Sequence, residues 1–257
     1  MHSIDEFIIL NLPAHVQRKW ACIGSLTTSG FDLGKLRFWD AIPGTDFADT
    51  RQICEAAADD GFPEFLRFYN AEKYGIHPHV LGHASDTRHL RIVSQAWSYF
   101  QMLRHVSENG INALIMYDDY IFKNYDILAA IVETVMRADD FLFLQCEYYH
   151  IPAVNLMMEI VRHPNIPCLA QGPLGASENV IFFSHRGATF FLDYLKQNFH
   201  HNIEATLQRM CYLPSEKRQG IWTAIDKLVR TQPFDFGSTI VGREPSAKTL
   251  DGTTTDI

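Results

Sequence analysis

Residues 111–123, Ile-Asn-Ala-Leu-Ile-Met-Tyr-Asp-Asp-Tyr-Ile-Phe-Lys, decide how this chain is interpreted. The unbroken apolar run from Ala113 to Met116 is typical of a strand that is buried on both faces, as in a mostly parallel sheet. The run ends in Tyr117-Asp118-Asp119-Tyr120, so two adjacent carboxylates stand where the strand leaves the core. Open α/β sheets bind their ligands at the carboxyl ends of strands. The stretch therefore predicts a ligand site at the two aspartates.

The paired carboxylates favour a hard divalent cation. Mg²⁺ and Mn²⁺ prefer carboxylate oxygens and share them with substrate phosphates. Two unpaired buried carboxylates are costly, so we expect a positive group to meet Asp118 and Asp119. The alternative is a strand end that two solvated acids cap, and this stretch alone does not distinguish the two interpretations.

The composition is that of a globular domain. The chain has 257 residues, of which 47% are hydrophobic and 20% charged, and this allows one α/β domain with a sizeable core. A net charge of −8 disfavours a general nucleic-acid or anionic-membrane surface but allows a local basic pocket. We expect a single domain over residues 1–246 and a mobile tail over 247–257, which is rich in Thr, Asp and Gly.

No targeting or membrane signal stands out. The first residues lack a basic region, and the apolar segment from Phe7 to Leu12 is too short for a signal peptide. No stretch approaches the ~20 apolar residues that a membrane helix needs. The cysteines are odd in number and widely spaced, which favours neither a zinc site nor a disulfide framework. We therefore expect a cytoplasmic protein without a membrane span.

Strand and helix patterns alternate along the chain. A first strand over 6–13 precedes a helix from Val16 to Thr27 and a second strand over 36–39. The clearest helix, His89 to Asn109, leads directly into the strand with the two aspartates, as in a parallel helix–strand unit. Further helices are predicted over 49–60, 63–73, 124–137, 186–198 and 221–230, and further strands over 141–146 and 178–184. This alternation predicts an α/β fold.

Residues 47–81 are the least regular segment, and we expect an insertion over the face of the sheet. His77, His79 and His83 in and beside it have a spacing that suggests metal ligands at first sight. Pro78 between the first two, and the absence of a partner cysteine or carboxylate pattern, favour ordinary loop histidines over a zinc site.

A series of short motifs follows in order along the chain. They are Leu10-Asn11-Leu12 with Arg18, Ala41-Ile42-Pro43-Gly44, Ser94 to Trp97 before Leu114 to Asp119, Gly175-Ala176, Ser184-His185-Arg186-Gly187-Ala188 and Asp226-Lys227-Leu228. In this order they resemble glycosyltransferase family 25, which includes bacterial lipopolysaccharide galactosyltransferases and procollagen galactosyltransferases. The resemblance extends from about Phe7 to Ile240. Two features depart from it, because Tyr117 stands where the family usually has Glu, and Arg91 to Gln95 lacks a Gly and a His of the family pattern.

The resemblance implies a GT-A fold, with a Rossmann-like, mostly parallel mixed sheet flanked by helices. It also implies an inverting, metal-assisted transfer of a sugar from a nucleotide-diphosphate donor, in the first place a UDP-sugar, to a hydroxyl of a glycan, lipid-linked or protein acceptor. Mn²⁺ or Mg²⁺ would be held by Asp119, with Asp118, and by the diphosphate. The implied substrate-binding residues are Asn11, Arg18, Ala41, Asp118 and Glu178.

A carboxylate must accept the proton of the acceptor in such a transfer. Asp226 is the first candidate for this base because it matches a late Asp of the family. Glu147, which follows a predicted strand, and Glu178 are the other candidates.

Two other classes of function stay open. A catalytically degenerate nucleotide-sugar-binding protein on the same fold is favoured by Tyr117 and would bind UDP without turnover. A phosphatase- or nuclease-like metal hydrolase could use Asp118 and Asp119, but no further ordered Asp or His pair stands out for it. A Rossmann dehydrogenase is disfavoured because no G-x-G-x-x-G follows the first strand.

Overall fold

The computed structural model describes residues 4–69, 87–147, 160–172, 177–199, 202–226 and 228–231. Within these residues an eight-stranded sheet has the order β2-β1-β3-β8-β5-β9-β7-β6, and β4 and β10 form a separate two-stranded ribbon. The strands are β1 (Glu6–Asn11), β2 (Leu36–Asp40), β3 (Ala113–Tyr117), β4 (Tyr120–Phe122), β5 (Phe143–Gln145), β6 (Val161–Arg162), β7 (Leu169–Gln171), β8 (Val180–Phe183), β9 (Ile221–Ala224) and β10 (Val229–Thr231).

Six of the eight described sheet strands, β2, β1, β3, β5, β9 and β6, run in the same direction. β1 pairs in parallel with β2 and β3, and β5 pairs in parallel with β9. β8 is antiparallel to β3 and β5, and β7 is antiparallel to β9 and β6. The predicted α/β fold with a mostly parallel, mixed sheet is therefore confirmed, and it is consistent with a Rossmann-like fold.

Helices pack on both faces of the sheet. Phe7 of β1 contacts Phe31 and Tyr125 on one face, whereas Phe183 of β8 stacks on Phe191 on the other. These faces are opposite because Phe7 and Phe183 pair with consecutive residues of β3, whose side chains alternate. The helices are α1 (Val16–Thr28), α2 (Thr50–Asp59), α3 (Leu66–Tyr69), α4 (Thr87–Asn109), α5 (Tyr125–Val135), α6 (His185–Asn198) and α7 (Ile203–Cys211). The core between these layers includes β1, β3, β5 and β8.

α6 begins directly against the backbone that leads into β5. The Oγ atom of Ser184 accepts a hydrogen bond from the backbone N–H of Gly187 at 3.0 Å and so caps the helix. A Cβ atom on Gly187 would overlap the carbonyl oxygen of Leu142. Only a glycine allows this approach, which explains why the small residue follows the cap by three positions.

The helix predicted over 221–230 is wrong. These residues form β9, a bend that contains Asp226, and β10. β9 pairs with β5 and β7, and β10 pairs with β4. Both segments are short apolar runs, for which periodicity does not separate helix from strand, and the partner strands decide between them.

Other predicted elements are confirmed with shifted ends or lie outside the described residues. The helix expected over 63–73 begins as a 3₁₀ turn, Pro63–Phe65, and continues as α3, while its last residues lie beyond the described part. His77, His79, His83 and the tail over 247–257 also lie outside it. None of the described helices combines the length and the apolar character that crossing a membrane requires. The five cysteines are free thiols.

Candidate functional site

A cavity of about 290 Å³ opens at the carboxyl ends of β1, β2 and β3. This is the edge of the sheet at which α/β folds bind ligands. The cavity brings together four predicted site residues, Arg18, Ala41, Asp118 and Asp119. Its other lining residues are Leu10, Leu12, Ala14, His15, Ile42, Pro43, Gly44, Thr45, Arg91, Ser94, Gln95 and Tyr117.

Asp118 is held by three groups from β1 and α1. The Nδ2 atom of Asn11 donates to one carboxylate oxygen at 2.7 Å, and Nη1 of Arg18 donates to the other at 3.3 Å. The thiol of Cys22 donates to the backbone carbonyl of Asp118 at 3.0 Å. The expectation that a positive group meets the acidic pair is therefore confirmed, since Arg18 forms a buried ion pair with Asp118.

The local sequence explains this arrangement. Asn11 is the last residue of β1, and the amide of its side chain reaches across to β3, its parallel neighbour. Arg18, Cys22 and Leu26 recur every four residues and form the buried stripe of α1. The helix therefore places a buried guanidinium over the end of β3.

The loop after β2 is fixed against α4. The hydroxyl of Ser98 accepts a hydrogen bond from the backbone N–H of Ile42 at 2.9 Å. Gly44 is buried, and a Cβ atom there would lie 2.7 Å from the backbone carbonyl group of Leu90. A larger residue at position 44 would push the loop away from α4. The glycine therefore allows the loop that lines the cavity to pack closely against this helix.

The surroundings of Asp119 disfavour its charged form. Burial, together with the neighbouring charge of Asp118, raises the pKa of Asp119 to about 6, although Arg18 acts in the opposite direction. A cation at the carboxylate would relieve both effects. No group of three or more His, Cys, Asp or Glu that could hold a metal occurs among the described residues. A cation bound by the two aspartates would therefore complete its coordination with phosphate oxygens or water, as Mg²⁺ commonly does.

Tyr117 contributes an aromatic ring to the cavity wall. Its side chain is 8% exposed, and the ring lies 6.4 Å from that of Tyr99 of α4. Burial raises the pKa of Tyr117 well above its ordinary value. The phenol therefore stays neutral, and the acidic stretch that the resemblance leads us to expect is reduced to two carboxylates.

Glu147 lies beyond the cavity lining, just after β5, at the same edge of the sheet. It is 5% exposed and accepts hydrogen bonds from Nδ2 of Asn179 at 3.2 Å and from Oγ of Ser177 at 3.4 Å. Its charge contributes to the raised pKa of Asp119, so the two carboxylates influence each other. Our sequence reasoning missed Ser177 and Asn179. Their position just before β8 is the one feature of the sequence that could have indicated them. That position is informative only when the strands on either side of β8 are known.

Glu178 and Asp226 do not line the cavity. Burial, with a smaller effect of Glu204, raises the pKa of Glu178 to about 8, and among the described residues its Oε2 atom has no hydrogen-bond partner. Glu178 is therefore neutral near pH 7. Asp226 is exposed in the bend after β9, and β8 and β5 separate β9 from β3. This topology separates β9 from β3 by roughly 14 Å, at ~4.8 Å for each strand.

No family model matches the chain, and no curated protein matches it significantly. The fold is that of an α/β protein with a mostly parallel, mixed sheet, and a charged cavity lies at the carboxyl edge of that sheet.

Proposed function

We propose that this protein is a metal-assisted glycosyltransferase of the GT-A type that transfers a sugar from a UDP-sugar to a hydroxyl acceptor. The observation that carries the proposal is the cavity at the ends of β1, β2 and β3, where Arg18 meets Asp118 and Asp119. A nucleotide diphosphate needs both a cationic group and carboxylates that share a metal with its phosphates, and this cavity offers the two together.

The walls of the cavity suit the parts of such a donor. Leu10, Ile42 and Pro43 give an apolar surface of the kind that packs against a planar base. Arg18 and Arg91 both line the cavity and supply guanidinium groups for phosphate oxygens. Arg18 is already oriented by Asp118, so it loses little conformational freedom on binding.

The departure of the diphosphate requires neutralisation of its developing charge. Mn²⁺ or Mg²⁺, when held by Asp119 and Asp118 with the diphosphate, supplies Lewis-acid chemistry. Asn11 and Arg18 each donate a hydrogen bond to one oxygen of the Asp118 carboxylate. A carboxylate has further lone pairs, with which Asp118 would contact the metal. In this proposal Asp119 is the principal ligand, and Asp118 also positions Arg18.

Glu147 is our candidate for the base that accepts the acceptor proton. It lies at the same sheet edge as Asp119, and two donors hold its Oε2 atom. Asp226 is exposed and follows β9, which is three strands from β3, whereas Glu147 follows β5, which is two strands from β3. Asp226 is therefore the weaker candidate. The base would take the hydroxyl proton as the acceptor oxygen forms its bond to the sugar.

Calorimetric titration with UDP, in the presence and absence of Mn²⁺, tests the donor site. We expect Mn²⁺-dependent binding to the natural protein and its loss in Asp119→Ala. Asp46→Ala is the matched control, because Asp46 is an exposed acid near the loop that lines the cavity. A folded natural protein that binds no UDP under either condition would contradict the proposal.

The second candidate function is a nucleotide-sugar-binding protein without turnover. Tyr117, which removes a carboxylate from the cavity wall, favours it. Equal UDP binding with and without Mn²⁺, combined with no release of sugar from UDP-sugars, would support this alternative over the transferase.

A further inference from the structure

The strand order places the amide side chain of Asn179 between two acidic residues of the site, Asp119 and Glu147. β8 lies between β3 and β5 and is antiparallel to both. The start of β8 therefore coincides with the carboxyl ends of its neighbours. Asn179, the residue before β8, lies at that point, between the turn with Asp119 and the end of β5 with Glu147.

Asn179 bonds to both sides. Its Nδ2 atom donates to the hydroxyl of Tyr120 at 2.7 Å and to Oε2 of Glu147 at 3.2 Å. Its backbone carbonyl accepts a hydrogen bond from the N–H of Tyr117 at 3.0 Å, which fixes the residue to β3. The two N–H bonds of one amide are thus divided between the turn after β3 and the carboxylate after β5.

Ser177 forms the other half of this support. Its Oγ atom accepts from the backbone N–H of Asn179 at 3.3 Å and lies 3.4 Å from Oε2 of Glu147, to which it donates. Its own backbone N–H donates at 3.3 Å to the side chain of Gln145, which is also bonded to Thr223 of β9. Glu147 is therefore oriented by groups that the sheet itself holds in place.

We propose that Asn179 is the positioning residue of the site: it orients the carboxylate of Glu147 and holds it at a fixed distance from the turn with Asp119. This proposal rests on the proposed function, in which Glu147 accepts the acceptor proton. An amide suits the position because it offers two donors without charge, whereas an aspartate there would put a third carboxylate beside two others.

The variants Asn179→Leu and Asn179→Asp keep the size of the side chain and remove both donors. We expect kcat for sugar release from a UDP-sugar to fall roughly 10- to 100-fold, which is less than the ~10²–10⁴-fold that a general base contributes, because Glu147 is misoriented but still present. The Kd of UDP with Mn²⁺ should change less than about threefold, because donor binding uses Arg18 and Asp119. Asn112→Asp is the matched control, since Asn112 lies at the opposite edge of the sheet and the Oδ1 atom that accepts from the backbone N–H of His185 is kept in the aspartate.

An unchanged kcat in Asn179→Leu, or a parallel loss of kcat, UDP affinity and thermal stability, would overturn the proposal. A crystal structure of Asn179→Leu gives a second test that does not depend on turnover. We expect the carboxylate of Glu147 to leave its present orientation. If it stays in place, Asn179 is not its positioning residue, whether or not the natural protein transfers sugar. Absence of turnover in the natural protein would instead count against the proposed function.

Discussion

Nη1 of Arg18 lies 3.3 Å from the carboxylate of Asp118, and the two side chains are only 7% and 9% exposed. The pair joins α1 to the end of β3, and Asn11 completes it from β1. A buried guanidinium and a buried carboxylate each depend on the other for compensation of lost hydration. The same contact therefore supports the fold and places a cationic group in the cavity.

Asp118→Ala should lower the free energy of unfolding by about 3–5 kcal/mol, because it leaves the charge of Arg18 buried without its carboxylate partner. Glu55→Ala is the control, since Arg51 and Glu55 form a shorter pair, 2.8 Å, that is about half exposed. Its loss should cost less than about 1 kcal/mol. Urea unfolding measures both values, and equal losses would show that burial does not decide the strength of these pairs.

Metal-dependent UDP binding should weaken as the pH falls through about 6. The pKa of Asp119 is raised to about 6, so its carboxylate is ionised at neutral pH and becomes protonated in this range. Calorimetry across this range, with a saturating amount of Mn²⁺, measures the effect. The phosphate of UDP also titrates near a pH of about 6. A UDP-sugar, whose diphosphate is a diester and does not titrate in this range, is therefore the control ligand. Binding of the UDP-sugar that does not weaken as the pH falls through about 6 would contradict the assignment.

Glu147→Gln should lower kcat much more than Asp226→Asn does. Removal of a general base typically costs about 10²–10⁴-fold, whereas an exposed acid outside the cavity should matter less than about threefold. The measurement is sugar release from a UDP-sugar at saturating donor, with UDP affinity determined in parallel. A large loss in Asp226→Asn with little effect in Glu147→Gln would reverse the order of the two candidates.

Glu178→Gln should change the free energy of unfolding, relative to that of the natural protein, more favourably at about pH 8 than at about pH 5. Because the folded-state pKa is about 8, Glu178 stays protonated in the fold, while in the unfolded chain it ionises near its ordinary value of 4.5. The contribution of Glu178 is therefore fully present below about 4.5 and is lost as the pH rises towards about 8, by at most about 1.4 kcal/mol for each pH unit.

Thermal unfolding of both proteins at about pH 5 and about pH 8 tests this sign. The difference between the variant and the natural protein should grow in favour of the variant at the higher pH. Glu55→Gln, which removes an exposed acid from α2, should show no such trend. A constant difference for Glu178→Gln would mean that the carboxyl group ionises normally in the fold.

Much of the first half of the fold follows from local sequence. The predicted helix over 89–109 agrees with α4 (Thr87–Asn109), and the apolar run at Ala113 agrees with β3. Both patterns are long or unbroken, so burial and periodicity point to the same element. The prediction over 221–230 fails because β9 and β10 are short and take their conformation from strands that are distant in sequence.

The sequence by itself determined that two adjacent aspartates end a buried strand of an α/β protein. An unbroken apolar run is most stable inside such a sheet, and the acids that follow it then lie at the carboxyl end of the strand. The sequence left open whether a positive group meets them or whether solvated acids cap the strand. Only the tertiary structure decided that Arg18 of α1 is the positive group beside Asp118 and that Asp226 is exposed and separated from the two aspartates. It also decided that Asn179 lies between Asp119 and Glu147. Those relationships depend on the strand order, which joins residues about a hundred positions apart and leaves no local pattern in the chain.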